Sequence, residues 1–278
     1  MPFTPAHAAA AFPFRRTRLV WSALIIGTMA PDFEYFLRLT LEGRHGHSLS
    51  GVFLLTLPLA LVTLWLFHEF VKGPLVELMP DGLERRLAGY RGKFRFGGAR
   101  RFALLVASIL VGVLTHLAWD SFTHVKGWAV LHWQILQKQT HVPVLGAEPV
   151  YKLLQYVSTI VGLAILLVWL IAWYRTAGHT GDVSSSRLTT SGKAWPVRRI
   201  VTLAAIVVSA VAASLVRAMV GSEATAEPLE NLRGVAHFLI PIVVMTVGLV
   251  WWQLVALGIW RSRGRGDRKT SPPFDVQN

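Results

Sequence analysis

The amino-acid sequence predicts an all-α, polytopic membrane protein with about five transmembrane helices and short helices ahead of them. Three observations carry that class. Of 278 residues, 53% are hydrophobic and only 15% charged, whereas a soluble domain carries about a quarter charged residues. The apolar residues gather in runs close to the ~20 residues that a hydrocarbon core requires. The basic residues gather between those runs, so the net charge of +13 fits loops facing anionic lipid better than nucleic acid. No nucleic-acid recognition fold or aromatic platform accompanies that charge.

The N-terminal stretch MPFTPAHAAAAFPFRRTRLV has no basic region ahead of its apolar part and contains prolines, so it does not read as a cleaved signal peptide. Residues 1–48 are expected to form short helices that carry site residues. Residues 20–30 are apolar but too short to span; they suit a hairpin dipping into one leaflet or a pair of helices over the bundle. Spans are expected at 49–70, 102–118, 153–174, 200–220 and 235–260, the second at the short limit. Pro58 can kink the first of them. Residues 49–174 form a core of three spans, and 175–199 a flexible Gly/Ser/Thr-rich linker. Residues 200–260 hold two further spans, and 261–278 a basic, disordered tail.

Topology follows from the connections. Arg85, Arg86, Arg91 and Lys93 lie between the first two runs, and Arg187, Lys193 and Arg198 between the third and fourth. Between the fourth and fifth lie Glu223, Glu227 and Glu230. By the positive-inside rule the basic loops and the C-terminus face the cytoplasm of a multi-pass inner membrane protein. His47 and the region after His116 then share the outer face.

That face carries the chemistry. In HLAWDSFTH, the residues His116, Asp120 and His124 recur every four positions, which makes one polar stripe on a helix. Imidazole and carboxylate suit zinc and related divalent ions, and Cys is absent, so a metal site must use nitrogen and oxygen. The stripe could equally be a helix-boundary feature. His47, Asp32 and His7 are the companions, with a cap or turn role as the alternative for Asp32 and a half-exposed helix position for His7. His68 falls at the other end of the first run, about 30 Å from His47 along a straight helix, and is excluded. His45 competes with His47, while His132, His141, Lys126 and Arg44 are candidate lining or phosphate-neutralising groups. His237, Trp119, Trp128 and Trp133 read as interfacial.

The segments MPFTPAHAAAAFPFRR, SALIIGTMAPDFEYFL, GHSLSGVFLLTLP and HLAWDSFTH resemble a family of bacterial integral membrane proteins with a conserved domain of unknown function. That resemblance covers about the first 175 residues. More distantly, the order of His7, Asp32, His47, His116 and Asp120 resembles membrane-bound metal-dependent hydrolases, a group linked with zinc-dependent phospholipase C and related nucleases. The resemblance implies a metal set of His7, Asp32, His47, His116, Asp120 and His124, with Phe33 and Glu34 standing where relatives often have a second acidic residue. It implies a divalent ion, zinc or alternatively manganese, with Asp120 and Asp32 as catalytic carboxylates. The substrate would be a phosphoester, a lipid headgroup or another envelope ester. A non-enzymatic structural or assembly protein and a transporter stand as the alternatives.

Overall fold

The computed structural model describes residues 3–39, 46–91, 94–142, 146–176, 196–220 and 232–267. Among the described residues five helices are long and apolar enough to cross a membrane, and the chain is an all-α polytopic membrane protein. The first span is Leu49–Leu78, the second Ala99–Thr123, the third Val150–Thr176 and the fourth Val197–Val220. The fifth lies within the helix Leu232–Asp267. All five helices outrun the stretches expected from hydropathy, because Arg and Lys at the ends extend a helix without being apolar. The linker expected at 175–199 is shortened accordingly, with 177–195 outside the described residues. The tail expected at 261–278 begins as helix, and 268–278 lies outside them as well.

Two π-helical stretches interrupt the first span, at Val52–Thr56 and Phe67–Val71. Each has a proline in the same register. A proline ring clashes with the carbonyl four residues earlier. For Pro58 that carbonyl belongs to Leu54 and for Pro74 to Phe70, one in each π stretch. Widening the turn relieves the clash without breaking the span. The carbonyl of Phe70 then meets Gly258 of the fifth span, where any side chain would collide with it.

The N-terminal region forms a hairpin that lies along the spans rather than over them. Its first leg is a 3-10 stretch, Thr4–Phe14. The Phe3 amide donates to Thr159 Oγ1 at 3.1 Å, and Phe12 meets Trp169 edge-on at 5.6 Å, so this leg runs parallel to the third span. A rise of about 2.0 Å per residue lets eleven residues match that length. After a turn bearing Arg15, Arg16 and Arg18, helix α1 (Trp21–Met29) runs back along the second span. The Val20 amide donates to Ser108 Oγ at 2.9 Å. Side chains at Gly27 or Gly112 would collide with backbone of the opposite helix, so these glycines bring the two backbones into contact. The hairpin therefore starts and ends at the same end of the bundle.

The core divides by depth and partner. Ala23, Ile26 and Ala30 of the hairpin pack with Val52, Ala60 and Leu64 of the first span and with Leu105, Ile109 and Val113 of the second. Val71 and Leu78 pack instead with Ile206, Leu254 and Val255 of the last two spans. Beyond the second span, a short helix at Trp128–His132 and a turn at Gln134–Gln137 lead into an antiparallel pair, β1 (Gln139–Val142) and β2 (Gly146–Pro149). This hairpin was not anticipated: its strands are four residues each and carry no alternating pattern.

Gly112→Val tests the backbone contact. Overpacking of this kind costs about 1–3 kcal/mol, and the melting temperature of the detergent-solubilised variant is expected to fall. Gly73→Ala, whose added methyl meets nothing within 4 Å, should not lower it, since Ala is the better helix former.

Candidate metal centre

The hairpin, the start of the first span and the end of the second bring His7, Asp32, His47, His116, Asp120 and His124 together. His116 is fully buried, and its Nδ1 lies 2.8 Å from the carbonyl of Thr28 on α1. A carbonyl only accepts, so Nδ1 carries the proton and Nε2 presents its lone pair inward. That orientation depends on the close approach at Gly27 and Gly112. Asp32 follows in a 3-10 turn, Ala30–Asp32. Its side chain is buried, and Thr4 Oγ1 donates to Oδ2 at 2.7 Å, which leaves Oδ1 facing the cluster.

His47 comes from a pinned turn. The Gly46 amide donates to Glu34 Oε2 at 3.2 Å, and Thr56 Oγ1 donates to the Gly46 carbonyl at 3.2 Å. A side chain at position 46 would strike the carbonyl of Pro31, so glycine lets the turn lie directly on the Pro-Asp segment. Arg38 pairs with the other oxygen of Glu34 at 3.2 Å. Glu34 thus orients the His47 turn.

The donor atoms converge closely. Asp120 Oδ2 lies 3.1 Å from His116 Nε2, 3.3 Å from His47 Nε2 and 3.4 Å from His124 Nδ1. Asp32 Oδ1 lies 3.6 Å from His116 Nε2 and 3.7 Å from His47 Nε2. His7 Nε2 stands 3.6 Å from Asp120 Oδ1, with its ring stacked on His116 at 4.0 Å. A tetrahedral shell with bonds of about 2.1 Å has ligand-to-ligand edges of about 3.4 Å. Among the described residues two groups can hold a divalent ion, His7–His116–Asp120 and Asp32–His47–His116.

These atoms sit within ion-pair distance, yet His7 Nε2, Asp32 Oδ1, His124 Nδ1 and both Asp120 oxygens make no hydrogen bond. Buried polar atoms left so are costly, and a cation among them would satisfy several at once. Burial, and then the neighbouring His116, push His7 down to about 3, which keeps its imidazole neutral, the metal-binding form. Burial pushes the Asp32 carboxyl up, and a nearby cation would offset that. Access comes from one side only, since the His47 and His124 side chains are 32% and 30% exposed while the others are 6% or less.

Of the candidates named from sequence, His124 is placed differently from the expected stripe. The helix ends at Thr123, and His124 is its extended C-cap, yet its ring still reaches Asp120. It belongs to neither tridentate group. His68 lies away from the cluster, with Nε2 3.2 Å from Ser22 Oγ and Nδ1 3.2 Å from Lys72 Nζ, stacked on Phe94 at 4.2 Å. His132 donates to the Trp128 carbonyl and stacks on that indole, and His141 is exposed on β1. Neither enters the cluster. Lys126, Trp119, Trp128 and Trp133 are exposed. Arg44, His45 and the side chain of His237 lie outside the described residues. Sequence reasoning missed Thr4, Thr28 and Gly46, and the hold of Glu34 on the His47 turn. The spacing of Thr4 and His7 held one signal, because positions three apart eclipse in a 3-10 helix.

A family profile described as Domain of unknown function (DUF4184) matches residues 1–259. The chain belongs to the DUF4184 family. The match runs through the fourth span and most of the fifth, so the last two spans are part of the DUF4184 unit and not an addition to a 175-residue core. No curated protein and no solved structure matches the chain.

Thr4→Val should leave Asp32 Oδ2 buried without its donor, at a cost of about 1–3 kcal/mol. The melting temperature is expected to fall, while Thr176→Val, exposed at the end of the third span, changes stability by less than about 0.5 kcal/mol.

Proposed function

We propose that this DUF4184 protein is an integral membrane protein organised around one bound divalent ion, zinc by preference. The ion ties the N-terminal hairpin and the His47 turn to the second span. The observation that carries the reading is the set of buried, hydrogen-bond-free donor atoms from separate chain segments, spaced as a coordination shell requires. The ion count follows from His116. Both candidate groups use it, its Nδ1 is committed to Thr28, and one ring nitrogen serves one ion. Nitrogen and oxygen donors of this kind suit zinc, with manganese as the alternative. The excess of Arg and Lys at the opposite end of the bundle supports placement in the inner membrane with the cluster on the outer face.

A second reading, a metal-dependent hydrolase acting on a phosphoester or lipid headgroup, is favoured by the one-third exposure of His47 and His124. A fully closed shell would have no place for substrate. An ion held there would supply Lewis-acid polarisation of a phosphoryl or carbonyl oxygen. Asp32 and Asp120 are the carboxylates able to accept a proton beside it. His124, outside the two ligand groups and open to water, is placed to exchange that proton with solvent.

Elemental analysis of detergent-purified protein tests the first reading. One equivalent of zinc or manganese is expected in the native chain and in His68→Ala, and its loss in His116→Ala and Asp120→Ala. Metal-free native protein after reconstitution with zinc would overturn it. Removal of the ion should lower the melting temperature in either reading, whereas turnover of phosphodiester or phospholipid substrates by the metal-loaded chain, lost in Asp120→Ala, would select the hydrolase. The placement is checked separately, since the cysteine-free chain permits single-cysteine labelling: a cysteine replacing Ser50 should label from outside intact cells, and one replacing Gly89 only after the membrane is opened. The reverse pattern would invert the topology.

A further inference from the structure

At the end of the bundle opposite the His/Asp cluster, a cavity of about 370 Å³ lies between the first, fourth and fifth spans. We propose that this cavity binds the phosphate of an anionic phospholipid headgroup, with Arg198, Arg199 and Arg261 as the cationic wall. Glu77 is the one carboxylate in the lining, and Asp81 and Glu84 hold Arg199 from beside the cavity. Two of the guanidinium groups are fixed in advance. Arg199 Nη1 donates to the Met79 carbonyl and to Asp81 Oδ1, each at 3.2 Å, and to Glu84 Oε2 at 2.6 Å. Arg261 Nη1 donates to Glu77 Oε2 at 2.9 Å. Each uses a single guanidinium nitrogen, so the N–H groups on the other two remain for a ligand. Arg198 is exposed and has no carboxylate partner among the described residues. Guanidinium groups held by such contacts lose little freedom on meeting a phosphate.

The surroundings select a lipid over a free anion. Val197, Ile200 and Val201 on the fourth span and Trp260 on the fifth are 74%, 42%, 58% and 66% exposed. They adjoin Arg198, Arg199 and Arg261 in sequence and present apolar surface on which acyl chains can lie while the headgroup enters the cavity. Basic pockets between spans at a membrane boundary bind anionic headgroups in this way. The proposal is independent of the metal ion and of its role.

The test uses the full chain in detergent and native mass spectrometry, titrated with phosphatidylglycerol, phosphatidylcholine or inorganic phosphate. Phosphatidylglycerol is expected to bind with a stoichiometry of one, phosphatidylcholine and phosphate not measurably. Arg198→Ala should weaken phosphatidylglycerol about fivefold, corresponding to about 1 kcal/mol for one cation, with its melting temperature unchanged and affinity restored in Arg198→Lys. Arg100→Ala, exposed at the same end but outside the cavity, should leave affinity intact. Equal binding of both lipids, equal loss from Arg100→Ala and Arg198→Ala, or binding of phosphate without phosphatidylglycerol would each overturn the proposal.

Discussion

A buried carboxylate must be met by opposite charge, and this structure buries two of them side by side. Asp32 and Asp120 are 0% and 4% exposed at the end of an apolar bundle, where an uncompensated negative charge costs several kcal/mol. The surrounding architecture serves to hold donors against them. Glycines at 27 and 112 bring α1 against the second span, which lets Thr28 fix His116. The Thr4–His7 spacing orients Asp32 from behind and places an imidazole against Asp120. The turn at Gly46, tied down by Glu34 and Thr56, supplies His47. Each contact is a modest interaction, and together they set a geometry that neutral packing would not.

Lipid as a solvent accounts for the division of the molecule. Between helices in a bilayer there is little hydrophobic driving force, so association relies on small residues and close backbone contact. The site-bearing half follows this rule through Gly27, Gly112 and the contact of Ala6 with Gly162. The other half depends on shape: the π turns of the first span offer the Phe70 carbonyl to Gly258, and the ends of these helices are locked by Arg199 and Arg261 onto acidic partners. Charged pairs sit where water and headgroups begin, and the stretch between is left to packing.

Hydropathy and charge made most of this architecture legible. Five spans follow from run length, because any backbone crossing a bilayer must satisfy its own hydrogen bonds. The grouping of His47 with His116 follows from counting crossings. Their actual proximity could not be read, since it depends on the path of the first 39 residues. That path is governed by a long 3-10 leg whose composition, Ala with two prolines, states no period. The same ambiguity hid the supporting residues. Thr4 and Glu34 matter through contacts 28 and 12 residues away, and local pattern contains no trace of such partners. The expected stripe at His116, Asp120 and His124 assumed that the helix continued; it stops at Thr123 because the chain turns at Gly127, whose backbone packs onto that of Ser121.

The N-terminal hairpin has a consequence for biosynthesis. Its two walls are the second and third spans, and its contacts with the third extend to Trp169. At about 5–20 residues per second, roughly 8–30 s separate the emergence of Phe12 from that of Trp169. During that interval an apolar segment too short to anchor itself lacks the wall that its first leg lies against. Docking of the first leg therefore waits for the third span, and a factor that shelters this hairpin during insertion would act in that interval.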